Sequence, residues 1–282
     1  MQSFLDFARQ YRELLSTASN IPLGIWRYSV ASAFVTDPAL PTVAIFSPHP
    51  DDEILAGGPL ALRFRKEGCR VINIAMTLGR EHQRTRRRFE LEGACKHIGF
   101  NLVMLTEKEC ASVGALLTES PEWVSRVDSV SRILKDYAPR IIIVHHTDDW
   151  HPDHEGTALV VRAAVAATRW SGSIFEAEYW HEMKTPNLLL EIDQYDLAHM
   201  LEALSFHKGE LERNPYHLRW PALLSNNVRR SEIVLGRGTK APAFDFAALY
   251  RRNLCTEGTI QPAPPAAPVA DKETRLLDSF VY

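Results

Sequence analysis

The sequence predicts an α/β protein with a Rossmann-like, mostly parallel sheet and helices on both faces. Three features carry that expectation. Short apolar runs take turns with helix-like stretches from residue 42 to residue 168, the runs are nearly continuous in apolar residues, and their lengths suit strands. A strand that is apolar on both sides needs cover on both faces, which the helical crossovers of a parallel sheet supply.

The chain opens with Phe4, Leu5, Phe7, Ala8, Tyr11, Leu14 and Leu15 at helical spacing, which predicts an amphipathic helix over 4–15. A buried strand is expected at 42–46 and a helix at 54–67. The pairing recurs as strand 70–76 and helix 83–98, strand 102–105 and helix 121–137, and strand 140–145 and the Ala/Val-rich helix 154–168. Gly99 is placed to close the helix at 83–98. Beyond 170 the pattern is less regular, with strands expected at 173–178 and 187–191 and a helix at 193–206. Residues 262–268, PAPPAAP, read as a stiff, solvated linker to a short tail. The expected organisation is one α/β domain over 1–261, its core at about 40–210, then a linker and tail over 262–282.

The 282 residues are 45% hydrophobic and 24% charged, which excludes a disordered or fibrous chain and allows a sizeable core. Lys and Arg total 32 against 35 Asp and Glu, a net charge of −3, so no nucleic-acid partner is expected. No apolar run approaches the roughly 18–20 residues of a membrane-crossing helix, and no basic stretch followed by an apolar block opens the chain. The expectation is a cytoplasmic protein without a membrane span. Cys69, Cys95, Cys110 and Cys255 lie far apart and read as small buried hydrophobes in a reducing compartment. Oligomeric state is not legible, although the first 40 residues and the tail are available to a homo-oligomer.

Sheets of this kind place ligand sites at the carboxyl ends of their strands, and two unusual clusters fall there. Ser47-Pro48-His49-Pro50-Asp51-Asp52-Glu53 follows the strand at 42–46. Three consecutive acids beside a histidine repel one another unless a cation offsets them. The prolines stiffen the loop, and adjacent residues of an extended loop point to different sides. One aspartate can therefore face a metal while its neighbour faces a water; the plainer alternative is a turn whose acids cap the next helix. The second cluster, His145-His146-Thr147-Asp148-Asp149-Trp150-His151-Pro152-Asp153-His154, holds four of the chain's 11 histidines. Imidazole and carboxylate together suit Zn²⁺ or a similar ion, and two His with one Asp leave a position open, as catalytic sites do.

His49-Pro50-Asp51-Asp52-Glu53 and His151-Pro152-Asp153-His154 resemble the paired signatures of the PIG-L/LmbE-like family, metal-dependent N-deacetylases of N-acetylglucosamine-containing compounds on a Rossmann-like fold. Thr77-Leu78-Gly79 and Arg87-x-x-Glu90-Leu91 add to a resemblance that spans about residues 40–210, while Arg80 stands where the family often has an acid. The resemblance implies His49, Asp52 and His154 as metal ligands and Asp51 as general base. It implies that His151 stabilises the oxyanion or protonates the leaving amine, that Asp153 orients a neighbouring histidine, and that Arg87 helps hold substrate. Glu53 is expected behind the ligands or as a helix cap. The implied cofactor is Zn²⁺, with Fe²⁺ or another divalent transition metal as the alternative. The implied partner is a small-molecule or glycoconjugate substrate bearing an N-acetyl amino sugar, cleaved to acetate and a free amine. A related metal hydrolase on another amide or ester, and a catalytically silent binding protein of the same fold, are the alternatives.

Trp150 adjoins His151 and is the aromatic expected to stack on a sugar, ahead of Trp170, Tyr179 and Trp180. Arg84, Arg86, Arg87 and Arg88 form a basic run that reads as a solvated face or as a contact to an anionic substrate. His181 and His207 are not expected in the site. The chain contains no GxGxxG, GxSxG or GxxxxGK[ST], so a dinucleotide dehydrogenase, an elbow-type serine hydrolase and a P-loop enzyme have no support. Substrate selection is expected in loops 79–86 and 106–120 and in the region after 170.

Overall fold

The computed structural model describes residues 2–24, 36–105, 112–114, 120–263 and 268–280. Cys110 and most of the 106–120 loop lie outside them. Five strands run parallel: β1 (Val43–Ser47), β2 (Val71–Ala75), β3 (Asn101–Met104), β4 (Ile141–His145) and β5 (Gly172–Ala177). Their order is β3-β2-β1-β4-β5. The chain therefore winds away from β1 in one direction and from β4 in the other. The crevice outside the carboxyl ends of those two strands is where an open sheet of this kind binds ligands.

The strands alternate between two cores. Val43, Ile45, Ile141 and Ile143 face one, and Ala44, Phe46, Ile142 and Val144 face the other. The first core is covered by α3 (Gly58–Lys66), α4 (Glu81–Ile98) and α7 (Gln194–Leu204). The second is covered by α5 (Pro121–Tyr137) and α6 (Pro152–Thr168). The opening helix, α1 (Gln2–Ala18), buries none of its residues. Among the described residues no helix is long and apolar enough to cross a membrane.

Three sequence expectations change. The helix expected over 54–67 is two, α2 (Asp52–Leu55) and α3, with a break at Ala56-Gly57. A Cβ on Gly57 would lie 2.6 Å from Ile45 Cγ2, so only a bare backbone can sit this close to β1. The buried Tyr250 hydroxyl pins the break, donating to the Ala56 carbonyl at 3.0 Å and accepting from Leu60 N–H at 3.3 Å.

The second change is a long strand that the sequence did not reveal, β7 (Phe246–Thr256). It runs antiparallel to β5 and to β6 (Leu188–Ile192), and β8 (Thr259–Pro262) pairs with its end. Its Arg251-Arg252-Asn253 stretch breaks the apolar pattern. The interior accepts those polar side chains because buried Glu176 receives Arg251 Nε at 2.5 Å and Asn253 Nδ2 at 2.9 Å.

The third concerns the short tail after the expected linker, whose residues 264–267 lie outside those described; the tail packs onto the fold. β9 (Val269–Ala270) pairs parallel with β6, and α11 (Leu276–Phe280) buries Leu276, Leu277 and Phe280 in the first core. The proline-rich segment hid an edge strand and a core helix behind it.

Candidate active site

The loop after β1 enters α2 through a backbone that few residues adopt. Asp51 has φ 119° and ψ −26°, a conformation that costs a non-glycine residue on the order of 1–3 kcal/mol. Three bonds hold it there. Ile54 and Leu55 N–H donate to the Asp51 carbonyl at 3.0 and 2.9 Å, and Asp51 N–H donates to Glu53 Oε2 at 2.9 Å. The other oxygen of Glu53 meets His207 Nε2 at 2.6 Å, and both side chains are wholly buried. His207, which the sequence did not place in the site, thus stands directly behind the backbone of Asp51.

Asp52 sits at the centre of a histidine cage. Its Oδ2 accepts His49 N–H at 2.9 Å and lies 3.2 Å from His49 Nδ1 and 3.3 Å from His154 Nε2. Its Oδ1 lies 3.6 Å from His145 Nε2. His154 comes from the first turns of α6, and its Nδ1 is 3.3 Å from Asp149 Oδ1. His49 Nε2 is 3.0 Å from Asp153 Oδ2, while Asp153 Oδ1 accepts from Ser112 Oγ and from Val113 and Gly114 N–H at 2.5–2.8 Å. Asp153 is thereby fixed with one oxygen on His49.

His151 caps α6, its Nδ1 accepting the N–H of Asp153 at 3.2 Å. A neutral ring in that position carries its proton on Nε2. His145 is a site residue that the sequence offered without a role. The signal was available: it ends β4, so its side chain and that of His146 point to opposite sides, and His146 turns away to the carbonyl of His181 at 2.9 Å.

The electrostatics divide the two aspartates. Burial pushes both carboxyls up, but His154 and His145 outweigh it at Asp52 and hold that group well below the usual carboxylate range. At Asp51 burial wins, reinforced by the charge of Asp52, and the group is pushed up to about 8. Burial works against a charged His49 and His154. The bonds from Asp153 and Asp52 still raise His49 to about 9, and Asp52 with Asp149 raises His154 to about 10. His145, buried and beside His154, is driven down to about 3 and stays neutral. The field of three carboxylates favours positive charge at this spot.

The residues fit a divalent ion. Among the described residues two groups offer ligand atoms within 4.8 Å of one another, His49 with His151 and His154, and Asp52 with His145 and His154. The Asp52 separations from His49 and His154 match the spacing of about 3.3 Å between ligand atoms on a tetrahedral ion with bonds of roughly 2.0–2.1 Å. His145 Nε2 is buried without a hydrogen-bond partner among the described residues, facing the same point. An orphaned imidazole nitrogen in a polar cage is accounted for by a cation.

These groups floor a cleft of about 780 Å³. One wall is aromatic. The Trp150 and Trp180 rings lie 5.9 Å apart, Trp180 is 5.5 Å from Tyr179, and Tyr216 is 6.0 Å from Tyr179. Trp150 is 70% exposed, an unusual state for so large an apolar ring. Trp170, weighed with these on sequence, is instead a core residue whose Nε1 donates to the Pro139 carbonyl at 2.7 Å. Basic residues line the cleft too, among them Arg87, whose Nε and Nη2 bind Glu210 Oε1 at 3.0 and 2.7 Å.

Residues 44–165 match the sequence family described as GlcNAc-PI de-N-acetylase, PIG-L. The matched segment is less than half of the chain. Both clusters, at 49–53 and 151–154, fall inside it. No curated protein sequence matches the chain. Among solved structures, a conserved protein of Thermus thermophilus shares 19% identity over 75% of this chain and 94% of its own, with a TM-score of 0.57. The N,N'-diacetylchitobiose deacetylase of Pyrococcus horikoshii shares 20% over 77% of this chain and 84% of its own, at 0.55. The 4-carboxy-2-hydroxymuconate hydratase of Pseudomonas putida shares 12% over 76% and 96%, at 0.58. These likenesses establish the fold, which carries more than one kind of reaction.

Proposed function

We propose that the protein is a metal-dependent hydrolase that removes the N-acetyl group from an N-acetylglucosamine-type substrate, with Zn²⁺ or Fe²⁺ in residence. The observation that carries this reading is the pair of adjacent aspartates with divided surroundings, Asp52 within 3.2–3.6 Å of three histidine nitrogens and Asp51 governed by burial and the charge of Asp52. His49, Asp52 and His154 would hold the ion, with His145 behind them. When bound, the ion makes water a nucleophile near neutral pH and polarises the acyl carbonyl.

The chain's own groups supply the rest. Asp51 accepts a proton from the attacking water as its oxygen bonds to the acyl carbon. His151 donates from Nε2 to the oxyanion that forms, a role suited to a neutral ring whose Nδ1 is occupied by the N–H of Asp153. The C–N bond then breaks as Asp51 returns its proton to the amine, leaving acetate and a free amino sugar. Asp153 keeps the His49 ring oriented. Trp150 presents a face on which a sugar ring can stack.

Metal content per chain, measured for the wild type and for His154→Ala, tests the centre. About one zinc or iron per chain is expected in the wild type, lost in a variant that keeps its circular dichroism spectrum. Amine release from N-acetylglucosamine compounds should vanish in Asp51→Asn with the metal retained. The same metal content in both proteins, or full turnover in Asp51→Asn, would overturn the assignment.

A further inference from the structure

Asp149 stands in the loop between β4 and α6 and is wholly buried, yet none of the chemical roles above employs it. Its two oxygens serve different parts of the cleft. Oδ1 accepts the His151 N–H at 3.0 Å and lies 3.3 Å from His154 Nδ1. Oδ2 accepts the N–H of Trp180, 31 positions further along the chain, at 3.3 Å. One carboxylate thus joins the histidine cage to the turn that follows β5.

Asp149 is not itself placed to hold an ion. The two nitrogens of an imidazole point in divergent directions, and Asp149 stands on the Nδ1 side of His154 while Asp52 stands on the Nε2 side. His154 Nδ1 is buried without a hydrogen bond among the described residues, so its contact with Asp149 is close but not aligned. A cation on Nε2 leaves the proton on Nδ1, and a carboxylate beside that proton orients the ring.

The other oxygen bears on the aromatic wall. Trp180 belongs to a turn that closes on itself, the Met183 N–H donating to Glu178 Oε2 at 2.7 Å. Arg230 Nη2 donates to the same oxygen at 3.2 Å. Two further bonds dock this turn on the loop of Asp149. His146 Nε2 donates to the His181 carbonyl at 2.9 Å, and His181 Nδ1 donates to the Asp148 carbonyl at 2.7 Å. From the turn the Trp180 ring reaches Trp150 at 5.9 Å and Tyr216 at 6.3 Å. The Asp149 bond runs from the residue that bears this ring to the cage itself.

We propose that Asp149 is a positioning residue that couples the cation centre to the aromatic wall, so that Trp180 is set in place as the cage is filled. The proposal rests on the reading of the cage as a metal centre. By linkage, whatever orders the wall also strengthens the hold of the cage on its ion. The ring beside the substrate is then fixed by the same event that readies the centre.

The test adds Zn²⁺ to the metal-free full chain in a calorimeter and follows tryptophan emission over the same titration. Zn²⁺ has a filled d shell and no redox chemistry, so a change in emission reports on the protein. Wild-type emission should change in step with occupancy, and Trp180→Phe should remove most of that change with zinc still bound. Asp149→Asn keeps the shape but brings an N–H to a place where His151, Trp180 and a protonated Nδ1 all donate. It should bind zinc about 10- to 100-fold more weakly and, once saturated, lose the Trp180 part of the change. Asp149→Ser answers the same question if the asparagine variant does not keep its circular dichroism spectrum. A saturated Asp149 variant with the full wild-type change overturns the coupling, since the field of the ion alone then explains the signal. A change that survives intact in Trp180→Phe overturns it as well. Zinc bound by the wild type with no change in emission overturns the coupling and leaves the metal reading standing, whereas no zinc bound overturns both.

Discussion

Replacing His207 by leucine removes one half of a wholly buried ion pair. The His207 Nε2 to Glu53 Oε1 distance is 2.6 Å and neither side chain reaches solvent. Glu53 would keep a single donor, the N–H of Asp51 at 2.9 Å, for a carboxylate deprived of water. Breaking a buried pair in this way costs about 3–5 kcal/mol, a large share of the roughly 5–15 kcal/mol that holds a typical domain. His207→Gln keeps a donor and loses the charge, so its cost should be nearer 1–2 kcal/mol. Leucine at both positions removes the stranded charge and should restore most of the lost stability. Activity should not follow. Without Glu53 the N–H of Asp51 loses the acceptor that holds φ near 119°, and the proposed base relaxes out of place. Urea unfolding gives the stabilities, and acetate release from an N-acetylglucosamine compound gives kcat. His207→Leu within 1 kcal/mol of wild type, or a fully active double variant, would refute the reasoning.

Two further outcomes follow from the packing. Bonds from Arg213 and then Arg87 and Arg86 outweigh burial and hold Glu210 down at about 2. A depressed carboxylate stabilises the fold above its unfolded value and loses that contribution as pH falls toward the folded one. Because Arg213 is largely exposed, screening limits the effect to on the order of 2 kcal/mol. The stability gap between wild type and Glu210→Gln should therefore narrow by about 1 kcal/mol from pH 5 to pH 3 in urea titrations; a constant gap would dismiss the linkage. Phe280 of the tail packs edge-on against Phe175 with centroids 5.9 Å apart, and its carbonyl accepts from Ser173 Oγ at 3.0 Å. Phe280→Ala should cost about 3–5 kcal/mol in the same assay, and a loss under 1 kcal/mol would return the tail to the status of an appendage.

The parallel half of the fold was legible because its strands are apolar on both faces and its helices follow at regular intervals, with termini displaced by only one or two residues. The other half obeys rules that a linear pattern does not display. β7 carries two arginines and an asparagine through a sheet interior, where Glu176, contributed by β5, receives Arg251 and Asn253. No window of sequence around 246–256 contains that glutamate. The tail is hidden for a related reason, since PAPPAAP announces a stiff linker but not that Val269–Ala270 meets β6. His49, Asp51, Asp52, His151, Asp153 and His154, singled out because two loops carry an improbable density of one chemistry, come together in one cleft. His207 and Glu210 were not found. Each acts through contacts to residues distant in sequence, His207 to Glu53 and Glu210 to Arg86 and Arg87, and looks alone like any surface-helix side chain.

Two neighbouring aspartates with opposite titration behaviour are what acid–base chemistry on one loop requires. The fold produces the division by a turn of backbone rather than by different residues. Asp52 is the first residue of α2 and projects into the cage made by the ends of β1, β4 and α6, where every neighbour is an imidazole or an N–H. Asp51 stands one residue earlier, at φ 119°, where the charges of His207 and His49 do not offset its burial. There it meets burial and the charge of Asp52, and its pull for a proton rises to about 8. The strain at Asp51 is therefore tied to the proposed chemistry, and the buried Glu53–His207 pair is what sustains it.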